Sequence, residues 1–162
     1  MPPRSVYLIV YHSPLFPAHW ALYIPNLPPN EEREPNQVGR VLNVVGSSFS
    51  GFRHEFKRNY DLVADGRSYS LFLLDGEVDS ALVGEPGERE SIDGEAMDAL
   101  EGLALTVPAP GPSLLSADTQ GRRGRAEIRN CQTWLREAVE AYVKAGMLHA
   151  IALERLATAP MN

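Results

Sequence analysis

The sequence predicts an α+β fold, with a mainly antiparallel sheet of about five strands packed against C-terminal helices. Two observations lead to this prediction. Short runs of β-branched and aromatic residues, separated by turn residues, fill the first half of the chain, and segments with helical periodicity fill the second half. Strands that come first and helices that follow indicate α+β rather than an alternating parallel architecture. The length of 162 residues fits one domain spanning 1–162.

Five segments in the first half have the composition of strands, bounded by proline, glycine or serine. They are Ser5–Tyr11, His19–Ile24, Arg40–Val45, Phe52–Tyr60 and Ser68–Leu74. We expect the second and third to pair as an antiparallel hairpin with a long connection. Asp75-Gly76 predicts a turn after the fifth segment. Glu77–Val83 is expected to form a further short strand.

Three segments in the second half show helical spacing of apolar residues. They are Ser91–Leu105, Ile128–Ala145 and Met147–Ala157. Gly146 is a candidate for the C-cap of the second helix. The start of that helix is open, because Asn130 is a good N-cap residue but the pattern also allows a start nearer Ala126.

The net charge, the length of the apolar runs, the N-terminal residues and the single cysteine each argue against a class of protein. A formal net charge of −6 argues against binding of nucleic acid or of anionic membranes. The longest apolar runs, such as Val6–Tyr11, are too short to span a bilayer, so no integral membrane segment is expected. The N-terminal residues lack the features of a signal peptide. One cysteine cannot form an internal disulfide, which fits a reducing compartment and a cytoplasmic location.

Cys131 is the strongest candidate for a reactive group. If Asn130 caps the helix, Cys131 lies in the first turn, where the macrodipole and free N–H groups favour a thiolate and can stabilise an oxyanion. The alternative is that Cys131 is a small buried residue on the inner face of the helix, as free cysteines often are.

His19 and Asn43 are candidates for the base and for the group that orients it. His19 opens an apolar strand, and Asn43 is the strongly polar residue within the apolar run Val41–Val45. A buried amide needs a partner, and an imidazole on the neighbouring strand would supply one, directly or diagonally opposite. The alternatives are that His19 is structural and that Asn43 pairs with the backbone or faces solvent.

These motifs resemble a known group of proteins. His19-Trp20-Ala21-Leu22-Tyr23 on a strand, with Asn130-Cys131-Gln132-Thr133-Trp134 at a late helix start, is similar to the circularly permuted branch of the papain-like fold. That branch includes the lecithin:retinol acyltransferase-like proteins and permuted relatives of NlpC-type peptidases. The set also looks like a group of small fungal proteins. The matching motifs and element order cover about a fifth of the residues.

The resemblance implies a mechanism. Cys131 becomes the nucleophile and His19 the general base of an acyl transfer or hydrolysis through a thioester. The third residue in the permuted families is often a histidine on the next strand, where this sequence has Asn43. Asparagine fills that role in papain-like enzymes. The implied substrate is a small-molecule, peptide or carrier-bound acyl compound carrying an amide, ester or thioester, and no cofactor is implied.

Other polar residues carry weaker signals. His12 could line a cleft or be exposed, His54 is expected on a solvated strand face, and His149 is expected at the surface or in packing on the last helix. Four histidines without paired ligand spacing, and no second cysteine, argue against a zinc site. A basic cluster before the cysteine helix is either a solvated loop or a clamp for a carboxylate or phosphate; it consists of Arg122, Arg123 and Arg125.

Two other classes of function stay open. The same fold could be a binding module in which Cys131 and His19 are packing residues, which predicts an ordinary thiol and an imidazole too far from the sulfur for a hydrogen bond. Cys131 could also be a redox-sensing thiol that needs no histidine.

Overall fold

The computed structural model describes residues 2–14, 17–26, 37–112 and 129–162. The β-branched and aromatic runs of the first half form strands, as their composition predicts. Within the described residues there are six strands: β1 (Arg4–Tyr11), β2 (His19–Pro25), β3 (Val38–Ser47), β4 (Gly51–Asp61), β5 (Tyr69–Val78) and β6 (Ser91–Asp93). Three α-helices follow in the part of the chain that the structure describes: α1 (Ala99–Thr106), α2 (Cys131–Lys144) and α3 (Ile151–Ala157).

All six strands belong to one antiparallel sheet, in the order β5-β1-β2-β3-β4-β6. The α+β class and the antiparallel sheet are therefore confirmed, and the described sheet has six strands rather than about five. The expected antiparallel pairing of the second and third strands is also confirmed, with Leu22 opposite Leu42 and Tyr23 opposite Val41.

The side chains of each strand alternate between two differently covered faces of the sheet. On the face that we call the helix face, the helices bury a large apolar core around Trp20, Leu22 and Leu42, which packs against Trp134 and Tyr142 of α2. On the opposite face, which we call the tyrosine face, the buried cluster includes Tyr11, Tyr23 and Val41, and Tyr7, Tyr60 and Tyr69 pack against it.

The predicted helix Ser91–Leu105 is wrong in its first half. Ser91–Asp93 forms β6, which pairs with β4 through Phe56, Lys57 and Arg58. The helix begins at Ala99, because the side chain of Asp98 accepts a hydrogen bond from the backbone N–H of Glu101 at 2.8 Å and caps it.

The predictions for the segment after Leu74 are also wrong. Asp75-Gly76 is not a turn between strands but lies inside β5, next to a register shift of the β1–β5 pairing. The strand expected at Glu77–Val83 ends at Val78, and Ser80–Leu82 forms a 3₁₀ turn because the carboxylate of Asp79 accepts from the N–H of Ala81 at 2.9 Å.

The C-terminal helices lie where the periodicity predicts, with later starts. The predicted residue Ile128 lies outside the described residues, and α2 is described from Cys131. Gly146, with φ of 76°, follows Ala145, the C-cap residue of α2. The N–H of Gly146 bonds to the carbonyl of Val143 and that of Met147 to Tyr142, which is a Schellman ending that confirms the role of Gly146. The chain therefore turns before α3 begins at Ile151, rather than at Met147.

A buried charge network joins α1 to the sheet. Glu101, which is fully buried, accepts hydrogen bonds from Arg58 through both carboxylate oxygens, at 3.1 and 2.8 Å, and lies 3.8 Å from Nε of Arg40. Arg40 also pairs with Asp98 and donates to the carbonyl of Gly84. Because two arginines share one buried glutamate, this network fixes how α1 packs on β3 and β4.

Among the described helices, none is long and apolar enough to cross a membrane.

Candidate functional site

Cys131 is the first residue of α2. The side chain of Asn130 accepts hydrogen bonds from the N–H groups of Gln132 and Thr133, at 3.0 and 3.3 Å, and the Thr133 hydroxyl accepts from the N–H of Asn130 at 3.1 Å. This reciprocal capping box sets the start of the helix. The prediction that Asn130 caps the helix and puts Cys131 in its first turn is confirmed.

The thiol lies against the start of β2. The pairs between β2 and β3 run from Pro25 only as far as Leu22, so the first residues of β2 lie beyond the last pair with β3. There the Cys131 thiol donates to the carbonyl of Ala18 at 3.9 Å and accepts a hydrogen bond from the backbone N–H of Trp20. The sulfur therefore contacts the backbone on both sides of His19.

Burial controls the protonation of the thiol. Cys131 is 8% exposed, and desolvation raises the pKa of its thiol above the ordinary value. Hydrogen bonds from the backbone N–H groups of Trp20, Gln132 and Cys131 itself offset part of this increase. The helix terminus alone favours a thiolate, but the net direction is upward because the loss of hydration outweighs it.

His19 and Asn43 are joined by a hydrogen bond on the tyrosine face. Nε2 of His19 lies 3.2 Å from Oδ1 of Asn43, and the amide Nδ2 of Asn43 donates to the carbonyl of Glu55 at 3.0 Å. Asn43 is only 2% exposed, so both bonds compensate its burial. Since the register places Leu22 opposite Leu42, Asn43 is the diagonal neighbour of His19.

The network around Asn43 fixes the tautomer of His19. The Glu55 carbonyl can only accept, so the NH₂ group of Asn43 must face it and Oδ1 must face the imidazole. Nε2 of His19 therefore carries the proton, and Nδ1 has its lone pair free in the neutral ring. Among the described residues, Nδ1 has no hydrogen-bond partner.

The imidazole is neutral at physiological pH. Burial is the largest cause and lowers the pKa of His19 from 6.5 to about 4. The positive charges of Arg67 and Lys57 lower it further, while the hydrogen bond to Asn43 raises it. Tyr11 stacks on the ring, with centroids 5.8 Å apart and an angle of 25° between the planes.

In this resting arrangement, no hydrogen bond joins His19 to Cys131 among the described residues. The imidazole lies with Tyr11 and Asn43 on the tyrosine face, whereas Cys131 belongs to the core on the helix face. The structure thus brings His19 and Asn43 into contact, and places Cys131 against the backbone of Ala18 and Trp20, the two neighbours of His19.

The other histidines have structural partners. His54 is half-buried rather than on a solvated face, since its Nε2 bonds to the carbonyl of Val107 at 2.8 Å and its ring meets Trp134 edge-on at 6.0 Å. His12 is exposed, with ring contacts to Ser70 and the carbonyl of Asn162. His149 precedes α3 and contacts the buried carboxylate of Asp75 at 2.8 Å. The basic cluster of Arg122, Arg123 and Arg125 lies outside the described residues.

Sequence reasoning missed two neighbours of the site. Gln132 is 3% exposed, and its Nε2 donates to the carbonyls of Ala18 and Met161, both at 2.9 Å, tying α2 to β2 and to the C-terminal residues. Tyr11 is the second, although Tyr7 and Tyr11 lie on one face of β1 at even spacing, a pattern that points to a tyrosine-lined surface.

No group of three or more potential metal ligands occurs among the residues that the structure describes.

The fold and the site define an antiparallel α+β protein with one thiol at a capped helix start, against the backbone of β2, and an asparagine-bound histidine of β2 on the opposite face of the sheet. The sequence profile of the DUF6540 family, a family of unknown function, matches residues 6–149, and the chain belongs to this family. No curated protein and no solved structure matches the chain significantly.

Proposed function

We propose that this protein is a cysteine enzyme that transfers or hydrolyses an acyl group through a thioester on Cys131, and that its fold is a permuted papain-like fold. The observation that carries the proposal is the tautomer of His19. The side-chain oxygen Oδ1 of Asn43 lies 3.2 Å from Nε2 and accepts its proton in a hydrogen bond. Nδ1 is therefore unprotonated and can act as the base. A base needs such an orienting partner to act on a nucleophile.

The proposed reaction starts from a neutral thiol and a neutral imidazole. His19 Nδ1 takes the proton from Cys131 Sγ as the sulfur attacks the acyl carbonyl carbon. When the tetrahedral intermediate collapses, Nδ1–H gives this proton to the leaving amine, alcohol or thiol, and a thioester on Cys131 remains. Water or a second nucleophile then gives a proton to Nδ1 and attacks the thioester carbonyl. The C–S bond breaks, the acyl product leaves, and Nδ1–H returns the proton to Sγ, which restores the neutral thiol and the neutral imidazole.

Two features support this sequence of steps. The Asn130 cap takes the N–H groups of Gln132 and Thr133, so the backbone N–H of Cys131, the first helical residue, is the donor at the helix start that remains outside the cap for an oxyanion. The neutral imidazole also has its Nδ1 lone pair available, but its pKa of about 4 makes it a weak base at rest, so the proposal requires that substrate binding raises this pKa. Catalytic hydrogen bonds are often long in resting enzymes, so the proposal requires that substrate binding brings Nδ1 to the thiol.

The alternative function is a non-catalytic binding module. The raised pKa of the thiol and its contact with the backbone rather than with His19 favour it. It predicts that Cys131 is not acylated faster than an ordinary thiol of the same pKa.

Acylation by a generic activated ester separates the two. We expect p-nitrophenyl acetate to acetylate wild-type protein once, with the added mass located on the Cys131 peptide and lost again on further incubation. Cys131→Ser should keep the fold and lack the labile adduct. Two results would refute the enzyme and support the binding module. One is that no adduct forms on Cys131, and the other is that the adduct forms no faster than on the same protein in urea, compared at equal thiolate fraction.

A further inference from the structure

Arg67 is a cation near His19, the candidate base. Among the described residues, no acid forms an ion pair with Arg67. Its guanidinium carbon lies 3.9 Å above the ring centroid of Tyr11, and Tyr11 stacks on His19. Among the described residues, the guanidinium makes neither a hydrogen bond nor an ion pair. A guanidinium that lies over an aromatic ring and has no ion-pair partner has N–H donors available for a second group.

The backbone holds Arg67 in this place. Tyr11 pairs with His19 on one side and with Tyr69 on the other, so Arg67 precedes the strand next to Tyr11 by two residues. The N–H of Arg67 donates to the carboxylate of Asp65 at 2.9 Å. Gly66, with φ of 69°, supplies the left-handed turn between them.

The two charged side chains that act on His19 are positive, while the acids Asp61 and Asp65 act on the tyrosines of the same face. Arg67 approaches from the side of β5 and Lys57 from the side of β4, and both act on His19. Lys57 is partly neutralised by Glu55 at 3.6 Å and lies 4.5 Å from the centroid of the Tyr60 ring. Asp65 is the acid that acts on Tyr11, and its carboxylate already accepts a hydrogen bond from the hydroxyl of Tyr60 at 2.7 Å. Arg67 is therefore the cation left to bind an added anion.

We propose that Arg67, stacked on Tyr11 beside His19, binds a carboxylate of the substrate, so that the site selects acyl compounds that carry a negative charge. The planar pair of N–H donors at the guanidinium edge matches the two oxygens of a carboxylate. Arg67 is then a specificity-determining residue of the proposed acyl-transfer site, and this inference rests on that proposed function.

A pair of alkylating reagents tests the charge selection without a known substrate. The reagents are 6-(iodoacetamido)hexanoate and its terminal amide, whose chain is long enough for the end group to pass His19 and Tyr11 and reach Arg67. Both react with the thiolate of Cys131, so the ratio of their rates cancels the thiolate fraction and isolates the effect of the carboxylate. We expect this ratio to be higher in the folded protein than in the same protein in urea. It should fall about three- to fivefold in Arg67→Gln, as the loss of one exposed charge contact allows.

Lys144→Gln is the matched control, because it removes one positive charge from the far end of α2, about 20 Å along the helix from Cys131. An unchanged ratio in Arg67→Gln, or an equal fall in Lys144→Gln, would overturn the proposal. If alkylation of the buried thiol is too slow to measure, NMR titration decides. N-acetylglycine should shift the Arg67 Nε–H signal and N-acetylglycinamide should not; equal responses would overturn it.

The outcome is distinct from that of the acylation experiment. A ratio that depends on Arg67 with no acylation of Cys131 would keep the carboxylate site and refute the enzyme. Acylation with no dependence on Arg67 would do the reverse.

Discussion

Asn43 accepts a hydrogen bond from Nε2 of His19 because its own amide group is held by the carbonyl of Glu55. One buried side chain on β3 thereby determines which nitrogen of a histidine on β2 carries the proton. The contact lies at the end of the β2–β3 ladder, where the neighbours of His19 along the chain, Ala18 and Trp20, contact Cys131 at the start of α2 through their backbone. Because Nε2 carries the proton, Nδ1 is the nitrogen of His19 that can act as the base.

Replacing Asn43 tests this relationship. In Asn43→Ala, the Glu55 carbonyl and the imidazole both lose a buried partner, and we expect the free energy of unfolding to fall by about 1–3 kcal/mol. The Nε2–H tautomer of His19 should also lose its dominance in ¹⁵N NMR spectra, while the tautomers of His12 and His149 stay unchanged. A wild-type His19 that is protonated at Nδ1 would contradict the assignment.

The stability of the protein should depend on pH through His19. Its pKa is about 4 in the folded protein and has the ordinary value of 6.5 in the unfolded chain, so between these values the unfolded chain binds a proton that the folded chain does not. Stability is therefore full above pH 6.5 and is lost as the pH falls towards 4, by about 3 kcal/mol in total. Urea unfolding at several pH values measures this loss.

His19→Gln is the control for that titration, because it keeps a polar side chain but cannot titrate. The difference in unfolding free energy between wild type and His19→Gln should change by about 3 kcal/mol between pH 7 and pH 4. A constant difference over this range would show that the His19 pKa is not depressed.

The thiol of Cys131 should titrate at a higher pH in the folded protein than in the unfolded one. Burial raises its pKa, and backbone hydrogen bonds offset this only in part. The pH dependence of iodoacetamide alkylation gives the midpoint, and the same chain in urea supplies the reference thiol. A midpoint lower in the folded protein would mean that a thiolate–imidazolium pair exists at rest, contrary to the structure.

Local signals in the sequence predicted much of the site. The Asn130 cap, the β2–β3 pairing and the partnership of His19 with Asn43 follow from capping chemistry and from the cost of a buried amide. The direction of the Cys131 pKa shift did not follow, because burial depends on how α2 packs on the sheet. For the same reason the short strand Ser91–Asp93 was missed, since its pairing partner is β4 and not a sequence neighbour.

The buried network around Glu101 should contribute strongly to stability. Glu101→Gln is nearly isosteric but leaves Arg40 and Arg58 without the charge they share, so we expect a loss of about 3–5 kcal/mol in urea unfolding. Glu137→Gln, which breaks a half-exposed pair with Arg129, should change stability by less than about 1 kcal/mol. Similar effects of the two substitutions would contradict the role given to Glu101.

The central claim is that His19 is the base for Cys131, and the rate of Cys131 acetylation by p-nitrophenyl acetate at pH 7 tests it most directly. We expect His19→Gln to slow acetylation about 100-fold or more, as loss of a general base does. His149→Gln, which removes a histidine outside the site, should leave the rate unchanged. Equal rates in wild type and His19→Gln, with both proteins folded, would contradict the account.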